Sequence, residues 1–451
     1  MMQKYLFARI EVWVLLLVVL LGALGLVGFG GLVVEHTDGR HRFGAVGKAA
    51  VAVARVPLTL ETIIRNDDPM EVFQKGQFLD QTGWSWNRPP HSDGYWMMSR
   101  FDAERRHSII EMVRLSDGAV VHSMAPDYGT MLAKTSQTSQ IAEYANWNNG
   151  KYKVYGPVLQ PDGTVLIKSM YTPLMAVDGC GAEVWTQDDL MFHHSAEPDG
   201  SGGWWMPTVV EPTQVKGVSK QFRDDGLTRV AADGTILETI SLTELFLRKG
   251  MQHHVFQVGA YDDDPLHLND IQPVLADGPY WKAGDLFLSL RHLSMVMLYR
   301  PSTDEIIWMQ QGPWRGQHDV DILDDHTIAI FDNRAQSKSN SVGTVDGTSE
   351  VLTYDFATGT VSYPWQEAMA REQVVALFEG LYTYLPTGEI VIEDHNSGRI
   401  LFLAADGSKL GQFINRSPNG KVYEIGWGHY VEQAAGDAAL AIWAAQTCKA
   451  E

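Results

Sequence analysis

The chain is 451 residues long and 45% hydrophobic, which is enough apolar material for one large core or for several ordinary domains. Its formal net charge is −20, which argues against a nucleic-acid-binding protein because neutralising phosphates requires a basic surface. Only two cysteines occur, Cys180 and Cys448, so a disulfide framework and a CxxC metal site are excluded. They could form one bridge between a turn and the C-terminal tail. Because the sequence does not give their separation, we expect them to stay unpaired.

An apolar run without charges covers residues Val12 to Val34, and it is long enough to cross a bilayer as a helix. A cleaved signal peptide is the alternative, but the run is long and no A-x-A-like site follows it cleanly. No cysteine lies near the run, so a lipoprotein anchor is excluded. We therefore predict a transmembrane signal anchor over residues 12–34, after an N-terminal flank over residues 1–11.

The charges around this span do not favour export of the C-terminal part. The basic residues are Lys4 and Arg9 before the span and Arg40, Arg42, Lys48 and Arg55 after it. Residues 43–64 have the pattern of an amphipathic helix that could lie on a membrane surface. We place this helix in a linker over residues 35–83.

From Trp84 onward the chain consists of short β-rich runs separated by Asp-Gly, Pro-Asp-Gly and Thr-Gly turns. Residues 161–185 contain a turn, an apolar strand, a second strand, another turn and a further strand. Residues 386–410 repeat this order. Similar units can be drawn through residues 230–240, 266–311 and 318–365, and more loosely through 95–124.

About six such units of roughly 40 to 60 residues are typical of a β-propeller. Two packed β-sandwiches would also contain many short strands, but they would not repeat one internal order. We therefore predict an all-β fold, a six-bladed β-propeller over residues 84–432, with five or seven blades as alternatives. The N-terminal transmembrane helix and a short helical segment precede it, and a C-terminal tail over residues 433–451 follows.

Histidines recur at one position of this repeat. His318 and His194 each lie eight residues before a turn residue, and His267 starts an equivalent strand. On the second strand, Arg291 and His395 each lie seven residues after a turn glycine. Because the first strand of each blade lines the central channel, equivalent positions point to the same axis. These side chains should therefore converge at one mouth of the channel.

Such a cluster has two other interpretations, a water-filled polar channel and a metal site. Converging histidines could bind zinc or copper, and Asp262-Asp263-Asp264 could supply ligands to calcium. Arg291 argues against a metal in the pocket, because a fixed cation disfavours a second one while its planar fork suits an oxyanion. The sequence contains no G-x-S-x-G elbow, P-loop or dinucleotide glycine motif. We predict no cofactor and no metal.

Several short segments resemble the arylsulfotransferase (aryl-sulfate sulfotransferase) family in order, spacing and blade context over about residues 90–430. They are Phe192-His193-His194, His267-Leu268-Asn269-Asp270-Ile271, Leu288-Ser289-Leu290-Arg291-His292, Gln317-His318-Asp319 and Ile330-Phe331-Asp332-Asn333. The resemblance implies a six-bladed propeller with a site on the extracytoplasmic, periplasmic side of the membrane. It also implies transfer of a sulfuryl group from a phenolic sulfate ester to a phenol, without a nucleotide sulfate donor.

The resemblance also implies roles for individual residues. His318 matches the family's nucleophilic histidine, which becomes transiently sulfurylated. His194 matches the histidine that assists proton transfer, although the adjacent His193 leaves that register open by one. His267 and Arg291 match the pair that holds the sulfuryl oxygens. The residues expected to support these four are His193, Asn269, His292, Asp319 and His395, with His292 pointing to the opposite face of a strand from Arg291.

The chain departs from the better-known bacterial members in its retained membrane anchor and in lacking a close cysteine pair, and both features leave substrate and partners open. The expected partners are an aryl sulfate donor, a phenolic acceptor and the membrane through the N-terminal helix, with no nucleic acid. Two alternatives from other classes remain. One is a non-catalytic propeller that docks a membrane complex or binds a ligand, and the other is a histidine-rich, metal-dependent hydrolase.

Overall fold

A computed structural model describes residues 11–37, 42–65, 68, 70–72, 74, 76–136, 139, 147–256, 263–339 and 342–448. The chain divides into two units, Met1–Pro69 and Met70–Glu451. The described part of the first unit contains two helices, α1 (Val12–Thr37) and α2 (Gly44–Arg65). Of the helices in the described residues, α1 alone is long and apolar enough to cross a membrane, with a mean hydropathy of 2.8. It is therefore a candidate membrane anchor or signal sequence.

The second unit is mostly β-structure with short helices. Its first strands are β1 (Gly83–Trp86), β2 (Tyr95–Asp102), β3 (His107–Arg114), β4 (Val120–Met124), β5 (Val158–Leu159), β6 (Val165–Ile167), β7 (Thr172–Val177), β8 (Glu183–Phe192), β9 (Glu197–Pro198), β10 (Trp204–Val209), β11 (Asp225–Val230) and β12 (Ile236–Ser241). The later strands are β13 (Leu268–Pro273), β14 (Leu286–Leu290), β15 (Met295–Arg300), β16 (Glu305–Gln311), β17 (Val320–Ile322), β18 (Thr327–Asp332), β19 (Ala335–Ser339), β20 (Val342–Val345), β21 (Glu350–Asp355), β22 (Thr360–Ser362), β23 (Leu381–Tyr384), β24 (Ile390–Asp394), β25 (Arg399–Leu403), β26 (Lys409–Ile414) and β27 (His429–Val431).

The helices of this unit connect strands or follow the last one. They are α3 (Tyr128–Ala133), α4 (Leu242–Arg248), α5 (Gln252–Val255), α6 (Gln366–Arg371) and α7 (Gln433–Ala444). In the described ranges of this unit, 3-10 helices cover Arg291–Leu293, Pro301–Thr303 and His395–Ser397.

The strands form antiparallel sheets arranged as in a propeller, as the sequence predicts. Four separate sheets have the orders β27-β2-β3-β4, β13-β14-β15-β16, β17-β18-β21-β22 and β1-β26-β25-β24-β23. Strands β5 to β12 form one continuous eight-stranded sheet, in which β8 pairs with β10. Strands β19 and β20 form a separate hairpin. The predicted count of six blades is therefore not confirmed by the sheets, of which four are separate blades.

The two ends of the propeller chain interlock. The C-terminal strand β27 pairs with β2 and becomes the first strand of the sheet that the N-terminal strands β2 to β4 complete. At the other sheet, β1 adds an outer strand to β26. The loosely defined unit predicted over residues 95–124 lacks a first strand of its own for this reason, because that strand comes from the far end of the sequence.

The turns between strands follow the predicted glycine pattern. In the turn between β5 and β6, Gly163 adopts φ +84° and donates its N–H to the carbonyl of Gln160 at 3.0 Å. The Asp162 carboxylate accepts from the N–H of Thr164 at 2.9 Å and closes the same turn. Gly388 has the same geometry between β23 and β24, with φ +83°. A positive φ favours glycine, which explains the recurrence of Asp-Gly and Thr-Gly in the sequence.

The hydrophobic core lies between neighbouring sheets rather than within one sheet. One cluster packs Val274, Phe287 and Val296 from the sheet of β13 to β16 against Ile328 and Leu352 from the sheet of β17 to β22. Each sheet therefore buries both faces, which explains the continuous apolar runs of the central strands.

Cys180 and Cys448 form a disulfide, with their Cα atoms 5.3 Å apart. The expectation that they stay unpaired is wrong. Helix α7 runs back along the sheet of β5 to β8, where the Trp443 indole N–H donates to the carbonyl of Gly163 at 2.7 Å. This contact brings the C-terminal tail to the turn after β7. The two cysteines are 268 residues apart in the sequence, so no local pattern reveals that they lie close together.

Candidate active site

Six residues occupy the same place in the repeat, one to three positions ahead of a first strand. They are Tyr155, His194, His267, His318, Glu379 and Trp427, ahead of β5, β9, β13, β17, β23 and β27. We call them the entry residues. Three of the six are the histidines predicted from the repeat.

The entry residues converge. The ring centroid of His194 lies 5.2 Å from that of His267, 6.1 Å from that of His318 and 5.8 Å from that of Trp427. His193 lies behind this cluster, with its ring 5.0 Å from that of His194 and 1% of its surface exposed. Of the two histidines between which the sequence left the register open, His194 is the one beside His267 and His318.

A hydrogen-bond chain orients the imidazole of His194. Nε2 of His193 lies 3.3 Å from the carbonyl oxygen of Thr208, which can only accept, so this nitrogen carries the proton. Nδ1 of neutral His193 is then an acceptor for Nδ1–H of His194, at 2.8 Å. Burial lowers the pKa of His193 to about 3, and it lowers the pKa of His194 well below its usual value. The neutral His194 ring therefore has its lone pair on Nε2.

The tautomer of His318 is fixed in a similar way. The side-chain amide nitrogen of Asn333 donates to the carbonyls of Ala376 and Glu379, at 2.8 and 2.6 Å. Its Oδ1 therefore faces Nδ1 of His318, at 2.7 Å, and accepts a proton from it. Burial, together with the charge of Arg291, lowers the pKa of His318 well below its usual value. His318 is thus a neutral imidazole whose lone pair is on Nε2.

The lone pair of His318 accepts the backbone N–H of Glu379 at 3.0 Å. Glu379 adopts φ +58°, a left-handed conformation that is uncommon outside glycine. Its carboxylate binds Lys153 at 2.8 Å and the Tyr155 hydroxyl at 2.6 Å. Although burial disfavours its charge, Lys153 lowers the pKa of Glu379 to about 2. The ion pair between Glu379 and Lys153 therefore holds the backbone N–H of Glu379 against Nε2 of His318.

A carboxylate orients the third histidine. Nδ1 of His267 lies 2.6 Å from Oδ2 of Asp264, and the same oxygen accepts from Arg223 at 2.9 Å. Burial favours the neutral acid, but His267 lowers the pKa of Asp264 below its usual value. His267 itself adopts φ +56°. The carboxylate of Asp264, which is not an entry residue, therefore sets the orientation of the His267 ring.

Arg291 is a cation without a carboxylate partner among the described residues. Its guanidinium carbon lies 5.7 Å from the ring of Phe378, and its backbone N–H donates to the carbonyl of His267 at 3.0 Å. Burial lowers the pKa of Arg291, while Asp264 opposes the change. A guanidinium always remains charged in proteins, so this position is suited to an anion.

The prediction that His292 faces away from Arg291 across a strand is wrong. Arg291–Leu293 is a 3-10 helix, so the alternation of a strand does not apply. The ring of His292 stacks on that of His267 with centroids 4.4 Å apart, and its Nδ1 donates to the carbonyl of Asp264 at 2.6 Å. His292 therefore supports His267.

A second set of polar residues directly follows second strands. They are Lys168, Arg291, Asn333 and His395, after β6, β14, β18 and β24. The ammonium group of Lys168 donates to the carbonyl of His194, and burial lowers the pKa of Lys168 to about 7. His395 is 1% exposed, and burial lowers its pKa to about 4. Its ring is 6.3 Å from that of Trp427.

Two further predicted residues contact the segment around His318. The side-chain amide of Asn269 donates to the carbonyl of Gln317 at 2.9 Å. The carboxylate of Asp319 accepts the N–H of Tyr382 at 3.4 Å, and burial raises its pKa well above the usual value. Both residues are buried, and both link neighbouring first strands.

Glu379, Lys153, Lys168, Asn333 and Trp427 are not among the site residues predicted from the sequence. The position in the repeat could have identified Glu379 and Trp427, since each lies two residues ahead of a first strand. It could also have identified Lys168 and Asn333, each directly after a second strand. It could not have identified Lys153, because the role of that residue depends on the fold of the segment before β5.

A metal-binding arrangement is possible at Asp264, His267 and His292, whose ligand atoms lie within 4.8 Å of one another. Arg223 already neutralises Asp264 at 2.9 Å, and a fixed cation there opposes a metal ion. Asp262 of the predicted calcium ligands lies outside the described residues. Asp263 accepts from the Ser219 hydroxyl at 2.6 Å, and Asp264 belongs to the histidine cluster.

No curated protein matches the sequence. Among solved structures, a protein of unknown function from Bacteroides caccae is 11% identical, with 74% of this chain and 98% of that chain covered and a TM-score of 0.46. A chain of a nidogen/laminin complex is 10% identical, with 75% of this chain and 99% of that chain covered and a TM-score of 0.43. Likenesses at this level carry no argument about function.

The model of the family described as Arylsulfotransferase (ASST) matches residues 157–416, which is more than half of the chain. The matched range contains His194, His267, Arg291 and His318. The chain belongs to the arylsulfotransferase family.

Proposed function

We propose that this protein transfers a sulfuryl group from an aryl sulfate ester to a phenol through a sulfurylated His318. Membership of the family supports a sulfotransferase-type activity. The single observation that carries the covalent route is the fixed tautomer of His318, whose Nδ1–H is bound to Asn333 and whose lone pair is on Nε2. A neutral imidazole in this form is a competent nucleophile near pH 7.

In the first step, Nε2 of His318 attacks sulfur and the bond from sulfur to the aryl oxygen breaks. The phenolate leaves with that electron pair. Nε2 must give up its contact with the N–H of Glu379, and this amide can then donate to a sulfuryl oxygen. Arg291 and His267 are proposed to bind the other oxygens, as donors placed where negative charge is concentrated. Asn333 continues to accept from Nδ1–H and stabilises the positive charge of the sulfurylated ring.

In the second step, the oxygen of the acceptor phenol attacks sulfur and restores His318. His194, with its lone pair on Nε2, takes the phenolic proton, which contributes about 10²–10⁴-fold to the rate. Because burial lowers the pKa of His194 well below its usual value, the protonated ring returns that proton to water or to the phenolate released in the first step. The reaction therefore exchanges one phenol for another with no net uptake of protons.

We propose six blades for the propeller, with the eight-stranded sheet counted as two units, β5 to β8 and β9 to β12. The supporting observation is that six hydrophobic clusters each join two neighbouring units in a closed cycle. In the cluster between the two halves of that sheet, Leu166 and Leu174 pack against Met206 and Val230. The predicted propeller limits, residues 84–432, belong to this proposal.

We also propose that α1 anchors the protein and that the propeller is extracytoplasmic, on the periplasmic side. The disulfide between Cys180 and Cys448 supports this, because such bonds persist in oxidising compartments. A reporter fused to the C-terminus should be active only outside the cytoplasm. A reporter active in the cytoplasm would contradict the proposed location, despite the disulfide.

The activity is tested by incubating the full-length protein with 4-nitrophenyl sulfate and a panel of phenols. Release of 4-nitrophenol that depends on the acceptor, together with formation of the acceptor's sulfate ester, is the expected result. Release that depends on water alone, and that is abolished by a chelator, would instead favour a metal-dependent hydrolase. No release with any aryl sulfate would favour the docking propeller.

A further inference from the structure

A cavity of about 520 Å³ lies beside three first strands, and none of the entry residues lines it. Residues of β5, β9 and β27 line it, together with Trp204 on β10 and two alanines of α7, Ala435 and Ala438. Its lining includes none of His194, His267, Arg291 and His318. Ala196 and His429, which do line it, each lie two residues beyond an entry residue.

The wall formed by α7 is fixed in place. The Tyr95 hydroxyl donates to Asp437 at 2.5 Å, and the Trp443 indole donates to Gly163 at 2.7 Å. The disulfide of Cys448 holds the chain just beyond the helix. The cavity is therefore preformed, and its size falls within the range of small-molecule sites, about 300–1,000 Å³.

The chemistry of the lining selects a neutral ligand. Valine, leucine, proline and alanine side chains make up most of it, and Trp204 and Tyr430 add flat aromatic surfaces. Neither lysine nor arginine contributes to it, whereas two carboxyl residues, Glu197 and Glu432, do. Burial raises the pKa of Glu197 well above its usual value, so its carboxyl group can both donate and accept a hydrogen bond. An anion such as a sulfate ester would find no lysine or arginine in this lining to bind it.

We propose that this cavity is a second small-molecule site, which binds a neutral phenol of one or two rings. The aromatic ring would lie among Trp204, Tyr430 and the α7 alanines, and its hydroxyl would bond to Glu197. The site goes beyond the transfer reaction and does not depend on it. A phenol there and a sulfate ester beside Arg291 would occupy different places, since Arg291 does not line the cavity.

The test measures binding, not turnover. Full-length protein carrying His318→Ala is placed in lipid nanodiscs and titrated calorimetrically at pH 7 with 2-naphthol, and separately with 2-naphthyl sulfate. Saturable binding of 2-naphthol is expected. Ala435→Trp, which fills the cavity, should weaken it at least about 10-fold by steric exclusion. Ala434→Trp lies on the same helix outside the lining and should change it less than about 2-fold.

A second cavity-filling variant, Ala438→Phe, keeps the test valid if Ala435→Trp does not fold. The thermal unfolding of both variants is compared with that of Ala434→Trp. The absence of saturable 2-naphthol binding would overturn the proposal. Equal binding in a folded Ala435→Trp or Ala438→Phe protein would also overturn it. So would 2-naphthyl sulfate binding that is as tight as that of 2-naphthol and is lost in the same variants. None of these outcomes depends on whether the protein transfers sulfuryl groups.

Discussion

The same first strands present two opposite kinds of side chain within three residues. His194, His267 and His318 stand ahead of three consecutive first strands. Glu197, Asp270 and Asp321, which we call the carboxyl set, lie three residues beyond them, about 10 Å along each strand. Burial lowers the pKa of His194 and His318, whereas it raises the pKa of Asp270 to about 7 and that of Asp321 to about 6.

One repeat therefore supports two environments, that of the entry histidines and that of the carboxyl set. Burial favours the neutral form of His194 and His318 and also that of the carboxyl set. Arg291, which cannot lose its charge, then remains as a fixed cation beside the histidines. An anionic donor is attracted to Arg291, while the cavity beside Glu197 has no lysine or arginine in its lining and favours neutral molecules.

The largest expected effect comes from removing the nucleophile at the histidine end. His318→Ala should lower kcat for sulfuryl transfer by at least about 10³-fold, because no neighbouring group can form the covalent intermediate. Asp321→Asn, three residues along the same strand, is the matched control and should retain most of the activity. Equal losses in the two variants would remove the functional distinction between the two sets.

The next effect concerns the geometry of the cation. Arg291→Lys keeps the charge but loses the planar fork, so transfer should fall by about 10- to 100-fold with little change in the unfolding temperature. Steady-state kinetics and thermal unfolding of the same preparation check this. Wild-type activity in this variant would show that Arg291 does not contact the sulfuryl oxygens.

Asn333 provides a test of the His318 tautomer through pH. Asn333→Asp places a carboxylate 2.7 Å from Nδ1, if the side chain keeps its position. This charge should stabilise the imidazolium and raise the pKa of His318 by about 1–3 units. The acidic limb of the kcat/KM profile should therefore move to higher pH. Asn333→Ala should lower kcat without that upward move, and an unshifted profile in Asn333→Asp would contradict the assigned contact.

The smallest expected effect is a change in the pH dependence of protein stability when Asp270 of the carboxyl set is replaced. Asp270 is 2% exposed, and its folded-state pKa of about 7 lies above its unfolded value. Its carboxyl group therefore makes its full contribution to the free energy of unfolding below about pH 4, and that contribution is lost as the pH rises towards 7. Asp270→Asn should stabilise the protein by on the order of 1–3 kcal/mol at pH 8 and change little at pH 4. Thermal unfolding across this range checks the sign. Destabilisation at pH 8 would indicate that the ionised carboxylate is needed.

The sequence was most informative where the repeat is regular. Turn residues marked many of the strands from β5 onward, and the positions of His194, His267, His318 and Arg291 in the repeat predicted that these four side chains converge. Local patterns could not show that β27 completes the sheet of β2 to β4, because this pairing joins opposite ends of the chain. They failed at His292 for a different reason, since a 3-10 helix replaces the strand there. The pairing of Cys180 with Cys448 likewise depends on how α7 packs.

The polar contacts of the site were less predictable than its histidines. Glu379 acts through its backbone N–H, which no residue pattern identifies, and Lys153 reaches it from the segment before β5. Asn333 could be placed by its position after β18, but its orientation depends on the carbonyls of Ala376 and Glu379. Such contacts are set by tertiary packing, and they determine which nitrogen of His318 holds the lone pair.

Intact-protein mass spectrometry can detect the sulfuryl group that His318 is proposed to carry. The full-length protein is mixed with 4-nitrophenyl sulfate in the absence of a phenol acceptor and quenched rapidly. The account predicts a species heavier by one SO₃ group, located on His318 by fragmentation, which disappears when a phenol is added and does not form in His318→Ala. Turnover without a labelled species, or labelling that persists in His318→Ala, would contradict it.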